Sequence, residues 1–340
     1  MSGENMIRIK LITPWSHIYA EEERRTPQQL NYEHGNLLFT YDIYCREYDW
    51  LLVYDDFSKQ KTPGVLWEKE ELACPREQTI LVTQEPPTIK LYPNCYTHQF
   101  GYVLTTQDAA YLPHPNYRVG RGCLLWYAGY KMPEATEEVD YPKSKLLSTV
   151  CSNKMMKHTQ HFHRFTLTRY ISDNMPELDW YGRGMKPLKN KADALTPYKY
   201  HIAVENYIHR NHWTEKISDS LLGLCLTFYA GDPALKELLP ADSFVPIPID
   251  DPPAALDIIR TCINNNEYEK RLPAIREARR LIASKYNLYD QVKEVIEQHS
   301  PTARTGHACI RGRHALRRNP LHALSEFGKI LHFRLFDRTY

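Results

Sequence analysis

Between Tyr198 and Pro233 apolar runs and polar punctuation alternate in an order that predicts strand, loop, helix and strand. Tyr200 to Val204 reads as a buried strand ending on two polar residues, Glu205 and Asn206. A polar and aromatic loop, Tyr207 to Trp213, follows. From Thr214 to Leu224 the apolar positions Ile217, Leu221, Leu222 and Leu224 recur at helical spacing. A second strand, Leu226 to Tyr229, is closed by Ala230-Gly231-Asp232-Pro233. Upstream, Ile7–Ile12, Leu37–Tyr41, Trp50–Tyr54, Thr79–Thr83 and Tyr102–Thr105 read as strands between polar connectors. Downstream, Pro252 to Cys262 and Tyr268 to Gln298 read as helices, with Glu277, Arg280 and Lys285 on their polar faces.

The central unit has the makings of an anion site. In open α/β sheets ligands gather at the carboxyl ends of strands, where the next helix presents its N-terminal amides. Lys216 falls in the first turn of the predicted helix, where a cation opposes the helix dipole unless an anion is also present. Asn206 supplies amide donors, and Glu205 and Glu215 supply acceptors of the kind ribose hydroxyls need. An ordinary surface Glu-Lys pair with Asn206 capping a turn fits the spacing equally well.

Val204-Glu205-Asn206 followed by Thr214-Glu215-Lys216 resembles the donor motif of family 10 glycosyltransferases, the α-1,3/4-fucosyltransferases, with the same gap between the two acids. The resemblance continues through Tyr198-Lys199-Tyr200, Ala230-Gly231 and Leu239-Pro240-Ala241-Asp242-Ser243-Phe244, and covers roughly Ser148 to Cys262. Leu146 to Asn153 is similar to the family's strand ending in Val-Ser-Asn, and Leu178 to Arg183 to its Val-Tyr-Gly-Arg segment, with Gly182 read as backbone making room for a ligand. In the basic helix His161 to Tyr170, Arg164 falls near the arginine that grips the donor diphosphate in that family, with Arg169 as its rival. Arginine suits the task because its planar fork reads phosphate oxygens in pairs. Two residues beside the donor motif depart from the pattern. His212 stands where the family has tyrosine and Tyr207 where it has serine, which leaves a different GDP-sugar open.

The resemblance implies an α/β fold of the GT-B class, two Rossmann-like domains facing each other across a cleft, with a basic C-terminal tail. The expected boundaries are 1–145 for the acceptor domain, 146–300 for the donor domain and 301–340 for the tail, Glu134 to Lys145 being the linker. Inverting glycosyl transfer needs a carboxylate base for the acceptor hydroxyl. Val82 to Pro87 ends a strand on two prolines, which cannot extend a ladder and so place Glu85 at the strand's mouth. The family's segment there reads Glu-Ser-Pro, and the resemblance implies that Glu85 is the base. Tyr92, Tyr96, Trp126 and Tyr127 are candidates for an acceptor-stacking platform, although aromatic clusters more often form core.

No metal is expected. His158, His161 and His163 cluster without an acidic ligand, helical spacing puts His161 and His163 on different faces, and no Asp-x-Asp is present. Arg164 and Lys216 would neutralise the departing GDP instead. A metal-dependent hydrolase and a non-catalytic glycan- or nucleotide-binding relative are the readings from other classes.

Composition adds compartment and surface. The chain of 340 residues is 42% hydrophobic and 25% charged with 24 tyrosines, a globular composition. Eight scattered cysteines suggest a reducing compartment. With no signal peptide and no run long enough to span a bilayer, the expectation is a bacterial cytoplasmic enzyme. From Pro301 to Tyr340 eight lysines and arginines face two acids, +6 against +2 for the whole chain, so the rest carries −4. Beside Arg311, Arg313, Arg317 and Arg318 lie Leu324, Phe327, Ile330, Leu331, Phe333 and Phe336. That combination suits anionic lipid at the inner face of the inner membrane, with a helix packed back on the N-terminal domain as its rival. No nucleic-acid motif accompanies the charge. The expected reaction is transfer of fucose from GDP-fucose to a hydroxyl of a glycan acceptor, in lipopolysaccharide or other surface-glycan synthesis.

Overall fold

The computed structural model describes residues 6–15, 31–58, 68–129, 135–156, 159–300 and 308–336. The chain forms two units, one from residues 1–120 and 291–339, the other from 121–290. In the first unit seven strands form one sheet in the order β2-β3-β1-β4-β6-β7-β8. They are β1 Ile7–Ile12, β2 Asn31–His34, β3 Leu37–Thr40, β4 Trp50–Tyr54, β6 Thr79–Val82, β7 Tyr102–Thr105 and β8 Tyr117–Val119. Only β2 runs antiparallel to its neighbour. β4 and β6 are buried along their whole length, which is why they read as unbroken apolar runs rather than alternation. A two-stranded ribbon pairs β5, Lys69–Glu71, with β14, Cys309–Arg311.

The second unit holds five parallel strands in the order β10-β9-β11-β12-β13. These are β9 Lys145–Val150, β10 Leu178–Tyr181, β11 Tyr198–Val204, β12 Leu226–Ala230 and β13 Phe244–Pro246. Parallel neighbours require crossovers. Helix α1, His161–Asn174, crosses from β9 to β10, and α2, Glu215–Leu222, from β11 to β12. Ile217, Leu221 and Leu222 of α2 are sealed in the core with Tyr200, Ile202 and Phe228 of the sheet. Helices α3, Pro252–Asn264, and α4, Glu267–Ser284, complete this unit, and the chain returns to the first unit within α5, Leu288–Glu297.

Three sequence expectations are corrected here. The unit boundary falls after Gly120 rather than at 145. The cause is packing: Val139 and Tyr141 lie against the second unit's core, and Arg276 of α4 donates to the Val139 carbonyl (2.7 Å), so the supposed linker is part of that unit. The single helix expected over Tyr268 to Gln298 is two, because Asn287 accepts from the Asp290 amide (3.0 Å) and starts a new helix. The C-terminal segment is not a separate tail. Ile310 and Leu316 enter the first unit's core, and the last helix, α6 Pro320–Phe336, is tied to it by Glu326 on Arg313 and Arg317 and by Lys329 on the Tyr92 carbonyl (2.8 Å).

None of the eight cysteines forms a disulfide. No helix among the described residues is long and apolar enough to cross a membrane.

Candidate functional site

At the carboxyl ends of β9 and β11, in the second unit, a cavity of about 310 Å³ opens. Val150, Ser152, His201 to Val204, Arg164, Lys191, Glu215, Lys216 and Tyr127 line it. Three cations therefore share one small space.

Each cation is placed by a different element. Thr214 caps α2, its hydroxyl accepting from the Lys216 amide (3.3 Å), and so starts the helix where Lys216 faces the cavity. Lys216 Nζ donates to Thr214 Oγ1 (2.9 Å) and pairs with Glu205 Oε2 (3.1 Å) and Glu215 Oε1 (3.4 Å). Burial works against its charge, yet the two glutamates outweigh burial and hold its pKa above the ordinary lysine value. Burial likewise pushes the Glu215 carboxyl up, but Lys216 and Lys191 bring it down to about 2, so it is ionised. Lys191 sits on a short turn, Lys191–Ala194, and pairs with Asp219 of α2 (2.6 Å). Asp219 is fully buried and also accepts from the Tyr127 amide (3.1 Å), so one carboxylate sets two cavity residues.

Arg164 differs from both lysines. It is 8% exposed, it pairs with no carboxylate among the described residues, and its Nε has no hydrogen-bond partner. Among the described residues its side chain's only hydrogen bond is from Nη2 to the Cys151 sulfur, at 3.9 Å. A buried guanidinium in that state is costly unless an anion completes it. Its rival Arg169 is exposed and pairs with Asp173 one turn on (3.8 Å).

The remaining sequence candidates divide. Glu205 is fully buried, with both oxygens engaged by Thr214 and Lys216; it holds the site together and has no face for a ribose. His212 is fully buried against Tyr207, its ring at 5.4 Å edge-on, and is not part of the cavity wall. Burial, then Lys216, lowers its pKa to about 3, so it is neutral. Asn206 follows β11 with its Oδ1 buried and without a hydrogen-bond partner among the described residues, and like His212 it is not part of the cavity wall. Gly182 makes room for backbone rather than ligand: at φ +139° a Cβ would stand 2.5 Å from the Cys151 carbonyl oxygen. Of the histidine cluster, His161 bonds Thr159 (2.5 Å), His163 pairs with Asp250 (2.7 Å) and His158 lies outside the described residues. Among the described residues no three His, Cys, Asp or Glu side chains group as a metal site.

In the first unit Glu85 lies three residues past the end of β6, partly exposed, at the carboxyl end of the sheet. The aromatic platform does not form. Tyr92 and Tyr96 are fully buried core residues, Tyr92 donating to Asp55. Trp126 packs on the second unit's core, and Tyr127 is exposed at the cavity among the cations. Sequence reasoning missed Lys191. Its signal is an Asn-Lys step in which Asn190 caps the turn, accepting from the Ala192 amide (3.0 Å), and only the fold carries it to α2.

Residues 141–265 match the family model described as glycosyltransferase family 10 (fucosyltransferase), C-terminal part. A solved structure of an α1,3-fucosyltransferase with GDP-fucose shares 16% identity, covering 90% of this chain and 95% of that one, with a TM-score of 0.51. One with GDP gives 16%, 88%, 93% and 0.49. A DNA-modifying β-glucosyltransferase gives 9%, 86%, 100% and 0.45. Among curated proteins the comparison finds no match. At such identity the likeness speaks for the fold, and the fold is the expected one: α/β, Rossmann-like, of the GT-B class.

Proposed function

We propose that this chain, a glycosyltransferase carrying the family 10 C-terminal domain, transfers fucose from GDP-fucose to a hydroxyl of a glycan with inversion at the anomeric carbon. The observation that carries the reading is Arg164, a buried guanidinium with no carboxylate, converging with Lys191 and Lys216 on one cavity. A diphosphate is the ligand that satisfies all three. Glu85 accepts the proton of the acceptor hydroxyl, whose oxygen bonds to the anomeric carbon as the bond to the β-phosphate oxygen breaks. GDP leaves with the electron pair, and the cations offset its growing charge without a metal. Glu215 and Asn206 hold ribose or sugar hydroxyls.

The two departures beside the donor motif, His212 and Tyr207, pack on each other and do not line the cavity, but His212 stands near enough to Lys216 and Glu215 to feel their charge, so transfer from another GDP-sugar is the second reading. The outer face of α6 leaves Leu321, Leu324, Phe327, Leu331 and Leu335 exposed, which supports peripheral contact with anionic lipid at the inner face of a bacterial membrane and a lipid-linked or lipopolysaccharide acceptor.

The test is calorimetric titration with GDP, GDP-fucose, GDP-mannose and UDP-glucose, followed by GDP release in the presence of galactose- and N-acetylglucosamine-ended oligosaccharides. Binding of GDP and GDP-fucose, lost in Lys216→Ala, is expected. Absence of guanine-nucleotide binding refutes the donor assignment, and GDP release that persists in Glu85→Gln refutes the base.

A further inference from the structure

The loop Gln84 to Tyr92, which carries Glu85, is fastened to the first unit at several points. The Gln84 amide donates to Tyr92 Oη (3.2 Å), and Tyr92 Oη donates to Asp55. Lys90 Nζ donates to the same Asp55 oxygen (2.7 Å). Asp55 itself follows β4 with φ +72°, a left-handed backbone that a non-glycine residue adopts only at a cost. A further fastening is Gln107. Its side-chain amide donates to the Glu85 carbonyl (2.7 Å) and to the Lys90 carbonyl (2.8 Å), the two ends of the Pro86–Ile89 turn.

Gln107 is built to do this and little else. It is 1% exposed, and its own backbone is fixed on both sides, the amide donating to Thr105 Oγ1 (3.0 Å) and the carbonyl accepting from Tyr117 Oη (2.8 Å). Both side-chain N–H groups point into the Glu85 loop. An apolar side chain of similar volume would fill the same space but could hold neither carbonyl.

We propose that Gln107 is a positioning residue for transfer, clamping both ends of the loop so that the Glu85 carboxylate stands on a fixed backbone. The inference rests on Glu85 acting as the base. Its effect is on reaction geometry, where a displacement of about 1 Å is enough to cost roughly a hundredfold in rate.

The test compares wild type, Gln107→Leu, Gln107→Asn and Glu85→Gln as full chains. GDP release from GDP-fucose is followed with water alone and with the oligosaccharides above, beside GDP affinity by calorimetry and Tm. In Gln107→Leu kcat should fall roughly tenfold to a hundredfold, with donor KM and GDP affinity within about twofold of wild type. Gln107→Asn, too short to reach both carbonyls, should fall less, and it carries the comparison should the leucine variant not fold. A kcat within about twofold of wild type in the variants overturns the inference, as does GDP affinity falling in step with kcat, which marks a general fold residue. Transfer surviving in Glu85→Gln sinks the base assignment itself. Loss there with normal rates in the Gln107 variants sinks only the clamp.

Discussion

Glu205→Gln separates a residue that touches the donor from one that builds the place where the donor is touched. The carboxylate is fully buried, taking the Thr214 amide (3.0 Å), the Thr214 hydroxyl (3.0 and 2.8 Å) and Lys216 Nζ (3.1 Å). The amide variant keeps an oxygen for Thr214 but turns an NH₂ toward the Lys216 ammonium, a donor against a donor. Removing one partner of a buried pair costs about 3–5 kcal/mol. Lys216 retains 19% side-chain exposure at the cavity and recovers part of that from water, so about 2–3 kcal/mol is expected. For a unit of this size that is roughly 5–10 °C in Tm. GDP affinity should fall about tenfold with it, because the ammonium is no longer aimed. Lys216→Met should cost at least as much stability, since it leaves the fully buried Glu205 carboxylate with Thr214 alone, and should lose more GDP affinity. Thermal melts and GDP titrations on the two variants decide the matter. Unchanged stability in Glu205→Gln with GDP binding abolished would mean that Glu205 contacts the ligand directly, and the positioning role would be wrong.

Arg164→Ala should weaken GDP binding at least tenfold by calorimetry while Arg169→Ala leaves it unchanged; equal effects would refute the choice between them. Acid should destabilise the second unit through two histidines. Burial, and then nearby lysines, lower His201 and His212 to about 3, against 6.5 unfolded, so the unfolded state binds more protons and stability falls as pH drops below 6.5. From pH 7.5 to 5.5 the pair should cost roughly 2–3 kcal/mol, read from urea midpoints, and His201→Gln should remove about half the dependence. Glu326→Gln should leave Arg313, 8% exposed in its side chain, unmatched. A loss of about 3 kcal/mol and faster tryptic cleavage within residues 308–336 are expected, with unchanged cleavage counting against the docking of α6.

Trp50–Tyr54 and the strand at Thr79–Val82 stand as expected because a central parallel strand buried along its length has no polar side to display. Ile7–Ile12 and Tyr102–Thr105 stand too, although Arg8 and Lys10 interrupt the apolar run of the first. The strands missed are marginal. Asn31–His34 and Tyr117–Val119 are sheet edges, and Lys69–Glu71 exists only through pairing with Cys309–Arg311, far along the chain. Local spacing found Glu215 and Lys216 because one capping turn sets both. It could not show that Thr214 folds under Glu205, that Asp219 carries Lys191 into the cavity, or that Tyr92 spends its hydroxyl on Asp55. Those are encounters between elements, and nothing in a single stretch encodes them.

The choice between Arg164 and Arg169 is of a different kind, since both candidates lie on one helix and its burial separates them. Arg164, Leu167, Thr168 and Ile171 are buried at steps of three and four, the spacing of a single helical face. Arg169, five residues from Arg164, turns about 140° away from it, and it is on the solvent side with Asp173 as its partner. His161 shares the buried face and His163 does not, as spacing anticipates. A family motif with two extra residues leaves two arginines, and the helix sequence, with apolar residues spread around its axis, does not choose between them. Packing does: it holds one of the two charges out of water, where an anion must answer it, and leaves the other to solvent and Asp173.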